Sequence, residues 1–218
     1  MNFVTKALKI LKNPVEIWND IAGQWEDAGH VLIRFAIPWL VLATAISTAL
    51  TPFVIPYETL AIMGLDHVSW ADRFGMGIIG AIVAIVQLII YIELTRFLSA
   101  QFGGSGDRGR AAQLALYSYT PTLIAQIIAL FPVVGGAAAL AAPLFGIFLY
   151  VQGATRLMGV TQREVAGFVI TSIVAWIISG IIIGGINLLV IMPWLFDVDL
   201  LGNMIRAINS QAAAQAGG

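Results

Sequence analysis

Cysteine is absent from the 218-residue chain, which excludes a disulfide framework, a thiolate nucleophile and any Cys-ligated metal. Histidine is almost as scarce. His30 and His67 stand on opposite sides of the first long apolar stretch, so they are not expected to share a metal. Charged residues make up only 11% of the chain and the formal net charge is -1, which argues against the concentrated basic surface that nucleic-acid binding requires. The chain also has no GxSxG elbow, HExxH pair or P-loop lysine. No enzyme activity, metal or cofactor is expected. The loop FGGSGDRGR does contain a formal GxGxxG at Gly104, Gly106 and Gly109, but an apolar stretch precedes it where a dinucleotide fold needs a strand, so it reads as a flexible loop.

Long apolar runs are what the chain has in abundance. It is 59% hydrophobic with a mean hydropathy of +0.91, a composition that belongs to multi-pass membrane proteins. Stretches at about 31–53, 74–98, 113–131, 134–154 and 165–191 each reach or approach the roughly 20 residues that cross a bilayer core. Placing the connections on alternate sides collects every Lys and Arg except Arg73 and Arg206 on one side. The positive-inside rule then predicts a cytoplasmic N-terminus and, after five spans, an extracytoplasmic C-terminus.

The segment from Leu116 to Tyr150 organises this plan, because it holds two spans and the turn around Pro132, Gly135 and Gly136 without one charged residue. Two amphipathic helices are expected before the spans. In the first, Phe3, Val4, Ala7, Leu8 and Leu11 oppose Lys6, Lys9 and Lys12. The second starts at the Asn13-Pro14-x-Glu16 capping pattern, with Val15, Trp18, Ile21, Ala22 and Trp25 apolar. Both read as interfacial helices lying along the headgroups. The fold class is therefore all-α: residues 1–29 as interfacial helices, 30–193 as a five-span bundle, and 194–218 as an extracytoplasmic tail, partly disordered. The loop from Val54 to Arg73, with Glu58, Asp66 and His67, reads as a solvated connection.

Within the spans, Gln87, Tyr91 and Thr95 share a face, and Glu93 and Arg96 form an i,i+3 pair near the cytoplasmic end. Gln126 and Asn187 suit hydrogen bonds between helices. Small residues recur at fourth positions: Gly77 and Ala81; Ala138, Ala142 and Gly146; Gly180 and Gly184. They permit close helix crossings, within the bundle or with a partner. Pro38, Pro121 and Pro143 are expected to kink their helices.

NPVEIW with Pro14 and Trp18, a Gly-rich loop, LYSYTP with Tyr117, Ser118 and Pro121, and then Pro132, Tyr150, Gly153, Leu157 and Gly159 together resemble the Yip family of five-span membrane proteins, in its short bacterial form. The resemblance covers about residues 12–192. It implies a five-helix bundle with a cytoplasmic N-terminus in a bacterial inner membrane. Eukaryotic members act in vesicle traffic, bind Rab-type GTPases and shape membranes through a longer N-terminal region with an Asp-Leu-Tyr-Gly-Pro stretch. That stretch is missing here, so GTPase binding is not carried over.

The leading functional expectation is a non-enzymatic scaffold or accessory subunit that packs on a membrane-protein partner or on a second copy of itself. One alternative is a small transporter or channel with a polar path at Gln87, Tyr91, Glu93 and Gln126. Another is membrane shaping by the N-terminal helices.

Overall fold

A computed structural model of the chain describes residues 3–55, 68–129 and 131–196, with tail positions 202, 205, 206, 208 and 209 and without the side chains of 132 and 133. Glu58, Asp66 and His67 of the loop, and Asp199 of the tail, lie outside the described residues. Every regular element among the described residues is helical. In chain order these are α1 Phe3–Lys12, α2 Pro14–Ala22, α3 Ala28–Val31, a π turn Leu32–Ala36, α4 Ile37–Val54, α5 Trp70–Gln101, α6 Arg108–Ser118, α7 Thr120–Ile128, α8 Pro132–Met158, α9 Val165–Ile186, a second π turn Asn187–Ile191 and α10 Met192–Phe196.

Local chemistry sets the boundaries. Asp27, Ser69 and Asp107 each accept a backbone N–H in the first turn of α3, α5 and α6, satisfying donors that a helix start leaves open. Pro14 opens α2 as expected, but Asn13 makes no side-chain cap; its amide instead donates to Glu16 Oε2 at 3.2 Å. Gly159 ends α8 at φ +69°, a left-handed conformation that a residue with a Cβ adopts at a cost.

The prolines act in three different ways. Pro38 offers no N–H to the turn before it, and that turn widens so that the Ile37 N–H reaches Leu32 O in the i→i+5 pattern. Pro121 likewise cannot bond back, and the third apolar stretch breaks at Tyr119 into α6 and α7. Pro143 lies inside the long α8.

Four helical stretches are long and apolar enough to cross a membrane: Ala28–Val54, Trp70–Gln101, Val134–Met158 and Val165–Phe196. The expected third span at about 113–131 is absent from that set because its break leaves two pieces, neither long enough by itself.

Helix α6 is the hub. Gly109 and every residue from Ala111 to Ser118 are buried in it, and it packs against α3, α5 and α8. Its small side chains allow that crowding. Gly146 of α8 approaches so closely that a Cβ there would stand 2.9 Å from Ser118 O. On the other side of the bundle, a Cβ at Gly77 of α5 would stand 2.7 Å from Thr48 Oγ1 of α4.

The N-terminal helices depart from the expected arrangement. Ala7, Ile10, Ile17, Trp18 and Ile21 are buried against the bundle, with α2 packed on α8. Trp18, expected among headgroups, is fully enclosed by protein. Burial in a matched protein socket gives its ring close contacts on all sides, which mobile headgroups cannot supply. The large apolar side chains these helices leave exposed are Val4, Leu8 and Val15.

Candidate functional site

Two places concentrate side-chain interactions between distant segments: a polar junction where the N-terminal segment meets α6, and an aromatic cleft among α5, α6, α8 and α9.

At the junction, α6 receives the N-terminal segment through paired polar groups. The Tyr117 hydroxyl donates to Glu26, and Lys6 Nζ lies 3.0 Å from both Glu26 oxygens and 4.4 Å from the centre of the Tyr117 ring. Phe35 closes the other side of that ring edge-on, with centroids 4.7 Å apart. Burial pushes the Glu26 carboxyl up, but the Tyr117 hydroxyl, the Lys6 ammonium and His30 outweigh it and hold the group below its ordinary value. Further along, Arg110 Nη1 donates to Ile21 O at 3.2 Å and Gln113 Nε2 to Gln24 O at 2.7 Å. These carbonyls lie at and just beyond the C-terminus of α2, where a helix leaves acceptors without intrahelical partners; Ile21 O also accepts the Gln24 N–H at 3.0 Å. Trp25 Nε1 donates to Asp107 Oδ1 at 3.1 Å.

Trp18 and Gly153 meet beneath this junction. A Cβ at Gly153 would lie 3.1 Å from the Trp18 ring and 2.6 Å from Leu114 Cδ1. The Gly-rich loop, read as flexible, is anchored instead. Ser105 N donates to Met158 O at 2.6 Å and Ser99 Oγ to Ser105 O at 2.8 Å. A Cβ at Gly109 would stand 2.5 Å from Glu26 O, so this glycine serves backbone approach between two segments.

In the cleft, Tyr91 stacks on Trp176 at 5.0 Å and meets Tyr119 edge-on at 5.9 Å. Tyr150 lies behind them, its hydroxyl 3.2 Å from both Thr95 Oγ1 and Ser172 Oγ. The cleft has a volume of about 430 Å³ and is walled by Tyr91, Ser118, Tyr119, Pro143, Gly146, Trp176 and Gly180, among others. It can receive an apolar group, and its lining holds no Asp, Glu, His, Lys or Arg.

The remaining intramembrane polar residues do not form one lining. Gln87 Nε2 donates to Ser179 Oγ at 2.9 Å, facing α9 beside Tyr91. Glu93 sits elsewhere, between Arg96 at 3.2 Å and Arg108 at 2.5 Å, with all three side chains substantially exposed. Gln126 is exposed on α7. Of the motif residues, Pro14 opens α2, Pro121 lies in the first turn of α7, Pro132 opens α8 and Gly159 closes it. Among the described residues no cluster of His, Asp or Glu is placed to hold a metal.

Sequence reasoning passed over Lys6, Glu26, Arg110 and Gln113 as site residues. One signal was available for Gln113, the sole polar side chain in the run from Ala111 to Leu116 of α6. For Lys6 and Glu26 none was, since each sits among other charges on an amphipathic face.

No curated protein and no solved structure matches the chain. A family model described as the Yip1 domain matches residues 8–186. That range runs from within α1 to the end of α9 and takes in the cleft, every motif residue named above and the junction apart from Lys6, and the chain belongs to the Yip1 domain family.

Proposed function

We propose that the protein is a non-enzymatic, five-span scaffold or accessory subunit of a bacterial inner membrane, acting through helix packing with a membrane-protein partner. The carrying observation is the fate of the three small-residue faces. Those at Gly77 and Gly146 are filled by close crossings inside the chain. The face on α9 is open: no atom lies within 4 Å of a Cβ placed at Gly184, and only the Tyr91 hydroxyl approaches one at Gly180, at 3.7 Å. This face borders the cleft at Gly180 and is flanked by exposed Ile177, Ile181 and Ile182. In lipid, helices associate through such small-residue surfaces, because hydrocarbon gives no hydrophobic drive. A partner helix with bulky apolar side chains fits both the open stripe and the cleft beside it.

Five crossings follow if α6 and α7 count as one broken span. Together they cover residues 108–128, about 30 Å at 1.5 Å per residue, and both pack along α8. The N-terminus is then cytoplasmic by the distribution of basic residues, with 1–29 as a cytoplasmic segment, 30–193 as the membrane domain and 194–218 as an extracytoplasmic tail.

A polar transport path has less support, since Glu93 and Gln126 stand apart from Gln87 and Tyr91. Membrane shaping has less support too, since Ala7, Ile10, Ile17, Trp18 and Ile21 of α1 and α2 are buried on the bundle and only Val4, Leu8 and Val15 of their large apolar side chains are exposed.

The test is site-specific photo-crosslinking in native membranes. A crosslinker at Ile181 should yield one discrete adduct to another membrane protein or a second copy, and one at Phe97, exposed on α5, should not. Equal or absent adducts at both positions would reject the reading.

A further inference from the structure

Beside the Lys6–Glu26 pair lies a second cavity of about 220 Å³, lined by Phe3, Lys6, Glu26, His30, Val31, Arg34, Phe35 and Tyr117. From this cavity we infer a binding site for the phosphate of an anionic phospholipid headgroup, with Arg34 as its principal ligand and His30 and Lys6 beside it.

The charges converge and do not cancel. Lys6 is matched by Glu26. Arg34 has no hydrogen-bond or ion-pair partner among the described residues, and no second carboxylate lines the cavity. It therefore presents a free guanidinium, whose fork matches phosphate oxygens two at a time. His30 stands one turn earlier on the same helical stretch. The π turn Leu32–Ala36 carries Arg34, and such turns re-aim side chains relative to a regular helix.

Depth selects the ligand. Arg34 lies six residues inside the apolar stretch that begins at Ala28, about 9 Å along the axis. A charge at that depth is costly unless it reaches the headgroup layer, where phosphates lie. Apolar groups surround the charges: Phe3, Val31 and Phe35 line the cavity, and Ile33 beside Arg34 is exposed. Such surroundings suit a ligand carrying acyl chains better than a free anion from water. At about 30 Å³ per water molecule, the cavity holds a small headgroup and leaves the chains outside, along those apolar residues.

The full chain, purified in mild detergent and stripped of lipid, is incubated with phosphatidylglycerol or phosphatidylcholine and examined by native mass spectrometry. The site predicts retained phosphatidylglycerol and little phosphatidylcholine. Arg34→Gln should lower phosphatidylglycerol retention about tenfold, as expected for one lost charge-assisted contact, and Arg34→Lys should recover part of it. His30→Gln is the second variant; both positions are exposed, so neither substitution removes a core contact. Lys9→Gln with Lys12→Gln, on α1 with Lys6 but outside the cavity, should leave retention unchanged. Equal retention in Arg34→Gln and wild type would overturn the site, as would an equal loss in the Lys9 and Lys12 variant. Displacement of the lipid by millimolar inorganic phosphate would overturn the lipid assignment in favour of a soluble anion.

Discussion

Trp18 rests against the backbone of Gly153, so close that a Cβ on the glycine would come within 3.1 Å of the indole. The two residues lie on α2 and α8, far apart in sequence, and both belong to the pattern by which the chain resembles its family. Their contact explains why an N-terminal helix that looks like a membrane-surface element is instead a fixed part of the bundle.

Trp18→Ala empties a fully buried site and should destabilise the protein by about 3–5 kcal/mol. Gly153→Val inserts atoms into the same contact and should cost about 1–3 kcal/mol. Thermal unfolding in detergent checks both. Because the two residues touch, the double variant should depart from the sum of the singles.

The Glu26 carboxyl is held below its ordinary value of 4.5. A depressed folded-state value means that its contribution is fully present above that pH and lost as pH falls through the folded-state value. The loss of wild-type stability below pH 4.5 should therefore be steeper than that of Glu26→Gln. At neutral pH the same substitution should cost about 1.5–3 kcal/mol, the scale of a hydrogen bond to a charged group. Matching pH profiles for the two proteins would remove Glu26 from the account.

Because the chain has no cysteine, single cysteines report topology without background. With five crossings, Lys12→Cys and Gln162→Cys react from one side of the membrane, and Ser69→Cys and Asn209→Cys from the other. If α6 and α7 did not cross together, Gln162 and Asn209 would exchange sides. Impermeant-maleimide labelling of whole cells and of lysed cells distinguishes the two patterns.

The small-residue faces make separable predictions. Gly146→Leu forces a side chain against Ser118 O, and overpacking of this kind costs about 1–3 kcal/mol or more. Gly184→Leu meets open space and should leave the unfolding temperature within about 0.5 kcal/mol of wild type in stability terms.

Much of this architecture was legible in the sequence because hydropathy and helix signals are local. Pro14 opens a helix where the pattern puts it, whereas the turn expected around Pro132, Gly135 and Gly136 is shorter than the glycines suggest, because α8 starts at Pro132 and contains both. Tyr117 and Pro121 sit on a hub helix and at its break, as an uncharged hairpin suggests. Pairings between distant segments were not legible. Nothing near Trp18 announces Gly153, and the lysines of α1 look alike until the fold brings Glu26 and Tyr117 to Lys6 alone. Gln87, Tyr91, Glu93 and Gln126 illustrate the same limit, since shared polarity placed them on one path and the helix faces separate them. The loop glycines showed their purpose only when Met158 O and Glu26 O proved to lie against Gly104 and Gly109.

The most direct measurement is purification of the tagged protein from its native membrane in mild detergent, wild type beside Gly184→Leu, with mass spectrometry of what co-migrates. The account predicts a membrane protein, or a second copy of the chain, at fixed stoichiometry with wild type, and its loss from Gly184→Leu at unchanged thermal stability. A solitary chain in both preparations, or the same partner retained by the variant, would contradict it.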